Sequence, residues 1–149
     1  MRRNFVLFIC LYLVSACEAF GTTYDLADYG ALPNDELNDS EILQKLLNDI
    51  DSVKGQKSIV FNSGTYIFNN PINLSSNIRL VGKETTIISN NQILNFTFFI
   101  GSYSASLENV QLKNLNISVI KLQNKYIGIS LPSAVNMRNK NIEIINCRF

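Results

Sequence analysis

A four-residue motif returns in this chain at a fixed interval. Asn77-Ile78-Arg79-Leu80, Asn109-Val110-Gln111-Leu112 and Asn141-Ile142-Glu143-Ile144 share the order Asn, branched apolar, polar, branched apolar, and consecutive copies begin 32 residues apart. The same spacing brings Gly82, Asn114 and Asn146 into one column, and Gly and Asn are the residues that best tolerate positive φ. A second block agrees: Thr65-Tyr66-Ile67-Phe68 stands 32 residues before Thr97-Phe98-Phe99-Ile100, with a weaker third copy at Ile129 to Pro132. Short β-rich runs fill the chain beyond Lys57: Ile59 to Phe61, Thr65 to Phe68, Ile78 to Val81, Thr85 to Ser89, Phe96 to Ile100, Asn116 to Leu122, Tyr126 to Leu131 and Ile142 to Phe149. No Asn-Gly, Asp-Gly or Gly-Gly dipeptide occurs, so tight two-residue hairpins have little support. Equal spacing, a bend residue in register and no hairpin signal together predict a parallel β-solenoid in which each coil pairs with the next and like side chains stack. The competing arrangement is a β-sandwich in which the recurrence is coincidence.

Ahead of the strands, Asn38 to Ile50 reads NDSEILQKLLNDI and sets Ile42, Leu43, Leu46, Leu47 and Ile50 on a single helical stripe. Asn38 followed three residues later by Glu41 has the pattern of a capping box, and Gly55 is the expected stop. This helix is expected to cover the amino-terminal end of the stack.

Met1-Arg2-Arg3 and the ten apolar residues Phe5 to Val14 have the form of a signal peptide, and the run is too short to span a membrane. Val14-Ser15-Ala16-Cys17 resembles a bacterial lipobox, which makes residues 1–16 the removed segment and Cys17 the lipidated residue, with a membrane anchor as its consequence. Ordinary signal-peptidase cleavage after Ala19 is the alternative. Either route takes the mature protein out of the cytoplasm, as a cell-envelope lipoprotein or a secreted protein. The β-helix domain is expected over residues 22–149.

Composition excludes whole classes of chemistry. With no His, the chain has no Ser-His-Asp triad, no imidazole acid or base and no HExxH zinc site. Thirteen Lys and Arg against twelve Asp and Glu leave a net charge of +1, which gives no reason to expect a nucleic-acid partner. Cys10, Cys17 and Cys147 are too few and too scattered for a disulfide framework or a four-cysteine zinc site, so no metal site is expected from the residues themselves.

Three successive stretches resemble the pectate lyase superfamily, the right-handed single-stranded parallel β-helices that include the rhamnogalacturonase and polygalacturonase branch. Tyr24-Asp25-Leu26-Ala27-Asp28-Tyr29-Gly30-Ala31 is similar to the family's opening strand. Leu32 to Ser40 stands where the family has a Gly-Asp-Gly and Asp-Asp-Thr segment leading into a capping helix, here Asp39 to Ile50. Ser58 to Tyr66 is similar to the strand, Pro-x-Gly and Thr-Tyr passage of the first coil, with Asn77 to Gly82 after it. Two departures stand out: Pro33-Asn34-Asp35 lacks both loop glycines, and Asn62 replaces the usual Pro.

The resemblance implies an all-β, right-handed parallel β-helix with one amino-terminal capping α-helix, acting on an acidic plant or microbial polysaccharide as a lyase or a glycoside hydrolase. Calcium would accompany lyase-type chemistry; no other cofactor is implied. The family's catalytic segments lie in later coils. Of the hydrolase set, only Arg138-Asn139-Lys140 matches Arg-x-Lys, a match attributed to chance, and no Asp follows Asp51. The catalytic residues are therefore unassigned, and the chain is expected to be the incomplete front of a longer β-helix domain, lacking the catalytic coils. A non-catalytic glycan-binding or adhesive surface protein is the alternative.

The substrate-binding candidates are Arg79, which shares an outward column with Gln111 and Glu143 and would meet an acidic sugar, and Tyr126, whose ring would stack on one, as would that of Tyr103. A solvated polar ridge is the plainer expectation for the column. Asp35 and Asp39 are read as cap-loop and helix-start carboxylates rather than a metal or acid pair, Asn114 and Asn146 as a side-chain amide ladder, and Cys147 as a small core residue.

Overall fold

A computed structural model describes residues 21–90, 96–100, 106–119, 127–130 and 139–149. The order of elements is β1 (Thr22–Asp25), a short 3-10 helix (Leu26–Tyr29), α1 (Ser40–Asp49), β2 (Lys57–Phe61), β3 (Gly64–Phe68), β4 (Ile72–Leu74), β5 (Ile78–Ser89), β6 (Phe96–Ile100), β7 (Glu108–Val119), β8 (Ile127–Ser130) and β9 (Lys140–Ile145). Every strand pairing among the described residues is parallel: β1, β2, β5, β7 and β9 lie side by side in chain order, β3 joins β5, and β4, β6 and β8 form a second sheet. Parallel neighbours in this order require the chain to circle once between each pair, and such crossovers are right-handed. Among the described residues the chain is an all-β, right-handed parallel β-helix with one α-helix at its amino-terminal end. No helix among the described residues is long and apolar enough to cross a membrane.

The 32-residue motif is the circumference of a coil. Arg79 pairs with Gln111 and Leu80 with Leu112, and Val110 pairs with Ile142, Gln111 with Glu143 and Leu112 with Ile144. Alternation then sends one set of side chains inward. Ile59, Leu80 and Leu112 form a buried stack, and Tyr66, Ile87 and Ile117 form another. Phe61 fills the first coil, its ring edge-on to Tyr66 at 5.3 Å and tilted against Phe68 at 6.5 Å. Cys147 is half-buried against this core, as its place in an inward column implies.

The period does not run backwards through the chain. β2 meets β5 after 21 residues, Lys57 on Ile78, so the coil carrying β3 is shorter than those above it. The second sequence block is consequently a false repeat. Thr65 pairs with Thr86, not Thr97, and β6 lies on β4, with Ile72 facing Phe98. Phe98 faces Ile129 at an interval of 31, so the third copy is also displaced by one.

The bend column needs a similar correction. Asn114 and Asn146 do adopt positive φ, 56° and 52°, and Asn146 Nδ2 donates to Asn114 Oδ1 at 3.3 Å. In the preceding coil the left-handed residue is Glu84, φ 52°, rather than Gly82. Between Val81 and Thr85 three residues face the single Asn114 of β7, a bulge that moves the bend two positions along. Gly82 is required for another reason: a Cβ there would collide with the Asn114 carbonyl and the Leu115 side chain. Thr85 closes the bulge, its buried hydroxyl accepting from Lys83 N–H at 3.0 Å and reaching the Phe61 and Asn62 carbonyls.

α1 lays Leu43, Leu46 and Leu47 on the first coil, with Ile50 just beyond its end also buried and Ile42 half-buried. The helix ends at Asp49, before Gly55, whose φ of 86° serves the following turn. The capping box is also absent in its expected form. Asp39 is the N-cap residue without a side-chain cap, and Asn38 Oδ1 accepts from Ser40 N–H, Ser40 Oγ and the distant Asn69 N–H.

Such bonds between the cap and the first coil recur. Asn34 donates its N–H to the Thr65 carbonyl, and its Oδ1 accepts from Thr65 N–H. Asp39 does the same to Ile67, and the Gln44 amide bonds both backbone groups of Asn73. Each side chain imitates the missing strand, so the first edges of β3 and β4 are closed to further pairing.

Candidate functional site

The outward face of the first sheet carries the column Ser58, Arg79, Gln111, Glu143, one residue from each successive coil. At about 4.8 Å per coil the column spans roughly 14 Å. β-Strand parity fixes its direction: Ile78 and Leu80 are fully buried on either side of Arg79, as are Val110 and Leu112 on either side of Gln111.

Beside it runs a second column in which Asn109 Nδ2 donates to Asn77 Oδ1 and Asn141 Nδ2 to Asn109 Oδ1, both at 2.9 Å. All three Asn residues hold positive φ, 59°, 58° and 52°. This ladder forms one corner of the helix. The Asn that opens each motif was its signal, since Asn enters the left-handed region more readily than other side chains and carries both a donor and an acceptor for the coils on either side.

Gln56, Arg79, Gln111, Glu143 and two ladder residues, Asn109 and Asn141, line an open groove of about 310 Å³. Gln111 Nε2 donates to Glu143 Oε2, which fixes the amide and leaves Gln111 Oε1 buried without a hydrogen-bond partner among the described residues. Arg79 Nε is buried and unpartnered in the same way. One residue before Asn109 and Asn141 in the chain, exposed Lys140 Nζ meets Glu108 Oε1 at 2.8 Å, and this hydrogen bond raises the lysine pKa.

The carboxylates at the amino-terminal end have other duties. Asp25 accepts from Ala27 N–H and from Asn62 Nδ2, Asp35 Oδ1 accepts from Leu37 N–H, and Asp39 Oδ2 accepts from Ile67 N–H. Burial raises the Asp39 pKa from 3.8 to about 6, partly opposed by the Ile67 bond and reinforced by Asp35. The Tyr66 hydroxyl is also pushed up, by burial first, against the effect of the bond it accepts from Asn62 N–H. Asn62, in the position of the family's usual Pro, thus ties Asp25, Tyr66 and Thr85 together.

Among the described residues no group of three or more Asp, Glu, His or Cys could hold a metal ion. Residues 1–16, Cys17, Tyr103, Tyr126 and Arg138 lie outside the described residues. Of the substrate-binding candidates, Arg79 therefore has a described position and Tyr126 does not.

The family model for rhamnogalacturonase A/epimerase, pectate lyase-like proteins matches residues 24–149. The chain belongs to this family. Among solved structures, an iota-carrageenase complexed to iota-carrageenan fragments is similar over 87% of this chain and 29% of its own, with 22% identity and a TM-score of 0.66. ORF18 of Geobacillus virus E2 is similar over 72% of this chain and 22% of its own, with 24% identity and a TM-score of 0.59. The pectate lyase-like chain thus spans less than a third of either protein, and at these identities the likeness is one of fold. No curated protein matches the sequence significantly.

Proposed function

We propose that this pectate lyase-like chain is part of an exported polysaccharide-active protein and that its Arg79 groove holds an acidic sugar. The observation that carries the reading is the buried, unpartnered Nε of Arg79 on the wall of an open groove, beside the unpartnered Oε1 of Gln111. A guanidinium offers several N–H donors in a fixed plane and matches a carboxylate, while the Gln111 carbonyl suits a neighbouring sugar hydroxyl. Membership of the family, together with a fold neighbour determined with polysaccharide fragments, supports a sugar polymer as the ligand.

The segment 1–16 directs export in this reading, with Cys17 as the lipid attachment point. Lyase or hydrolase chemistry belongs to coils other than those of this chain. Affinity electrophoresis in polygalacturonate tests the site: Arg79→Gln should weaken retention about tenfold, the value of one charge-assisted contact, and leave retention in a neutral galactan unchanged. Equal retention of both proteins would overturn the assignment. Assays on polygalacturonate and rhamnogalacturonan should find no release of unsaturated or reducing ends by this chain; release would overturn the division of labour.

A further inference from the structure

A lysine occupies an inward position of the stack. β2 alternates Lys57, Ile59 and Phe61 inward, and Lys57 is only 2% exposed, as buried as its apolar neighbours. It pairs with Ile78, and the equivalent positions in the coils above are Val110 and Ile142. The ammonium has three N–H donors, and one long contact to the Asp51 carbonyl at 3.4 Å is its hydrogen bond among the described residues. A buried cation without a counter-charge is costly, and deeper burial in the apolar column would not relieve it.

Lys57 lies on the wall of an open groove of about 570 Å³ that Ser75, Ser76, Lys54 and Asn77 also line. The Ser75 hydroxyl is buried and has no hydrogen-bond partner among the described residues. Two donors short of acceptors therefore meet one cavity, with a second lysine at its edge. Ser75, Ser76, Ser106 and Leu107, which precede the Asn corners, line this groove, whereas Arg79, Gln111 and Glu143, which follow them, line the Arg79 groove.

We propose that Lys57 and Ser75 form an oxyanion pocket that takes the carboxylate or sulfate ester of an acidic sugar. The ammonium supplies the charge and two free N–H donors, the Ser75 hydroxyl supplies a third, and Lys54 attracts the anion to the mouth. The oxyanion chemistry stands on these residues alone, while the sugar as its carrier rests on the proposed function.

The test measures thermal unfolding of the full chain against inorganic sulfate, galacturonate and neutral galactose, with chloride holding ionic strength constant. Sulfate and galacturonate should each raise the midpoint saturably, and galactose should not. Ser75→Ala should weaken the sulfate effect about tenfold, Lys57→Met should abolish it, and Arg79→Gln should leave it intact, which separates this pocket from the Arg79 reading. The Ser75 variant keeps the test valid if the Lys57 variant does not fold. Absence of saturable stabilisation by sulfate, or equal stabilisation of wild type and the Ser75 variant by it, would overturn the pocket, and a response to sulfate without galacturonate would overturn the sugar as its carrier.

Discussion

Asn109 donates its side-chain amide to Asn77 one coil below while its own backbone sits at φ 58°. One residue thereby turns the corner and joins two coils. Asn109→Ala should lose both and destabilise the protein by about 2–3 kcal/mol, from left-handed strain and lost hydrogen bonds. Asn109→Gly keeps the turn and loses only the amide, so urea denaturation should place it about 1 kcal/mol below wild type. An alanine variant as stable as the glycine variant would refute the backbone part of this account.

Asp39 makes stability depend on pH. Its folded pKa of about 6 exceeds the ordinary 3.8, so the folded state binds the proton more tightly than the unfolded chain does. The stabilising contribution is complete below 3.8 and is lost as pH rises through about 6. Asp39→Asn keeps an acceptor for Ile67 N–H and removes the titration. Denaturation midpoints across this window should fall with pH in wild type by more than in the variant, and parallel curves would contradict the assignment.

Gln44 closes β4 through two bonds to Asn73. Gln44→Met keeps the length of the side chain but exposes both backbone groups, so sedimentation should detect new self-association and stability should drop by about 1 kcal/mol. A monodisperse variant with unchanged stability would show that the edge is blocked by other means.

Gly82→Ala tests the bulge. The added methyl meets the Asn114 carbonyl, so the expected loss is about 1–3 kcal/mol, the usual range for overpacking, even though Gly82 itself does not need positive φ. Neutral behaviour in thermal unfolding would mean that β5 and β7 are farther apart at this bend.

The parts of the fold that were legible are those in which equal coil lengths put like residues over like. Arg79, Gln111 and Glu143 could be aligned because the chain between them is twice 32 residues, and the Asn114 and Asn146 ladder followed from the same count. Thr65 and Thr97 misled because a 21-residue coil intervenes, and nothing in the local pattern of a strand records how long the return loop is. Asn38 and Glu41 misled because a capping pattern does not reveal that Asn69, 31 residues on, competes for the same Asn38 oxygen. Arg79 could be named from parity, but its unpartnered Nε depends on neighbours from other coils. Lys57 was missed although parity would have found it, since it is a charged residue in phase with Ile59 and Phe61.

Stacked parallel coils are the basis of both proposed sites, and methyl-resolved nuclear Overhauser spectroscopy measures them directly. Cross-peaks linking Val110 to Ile142 and Leu80 to Leu112 are predicted, without the short Hα–Hα contacts of antiparallel strands. Absence of those methyl pairs, or Hα–Hα contacts between β5 and β7, would contradict the β-helix and remove the Arg79 and Lys57 grooves with it.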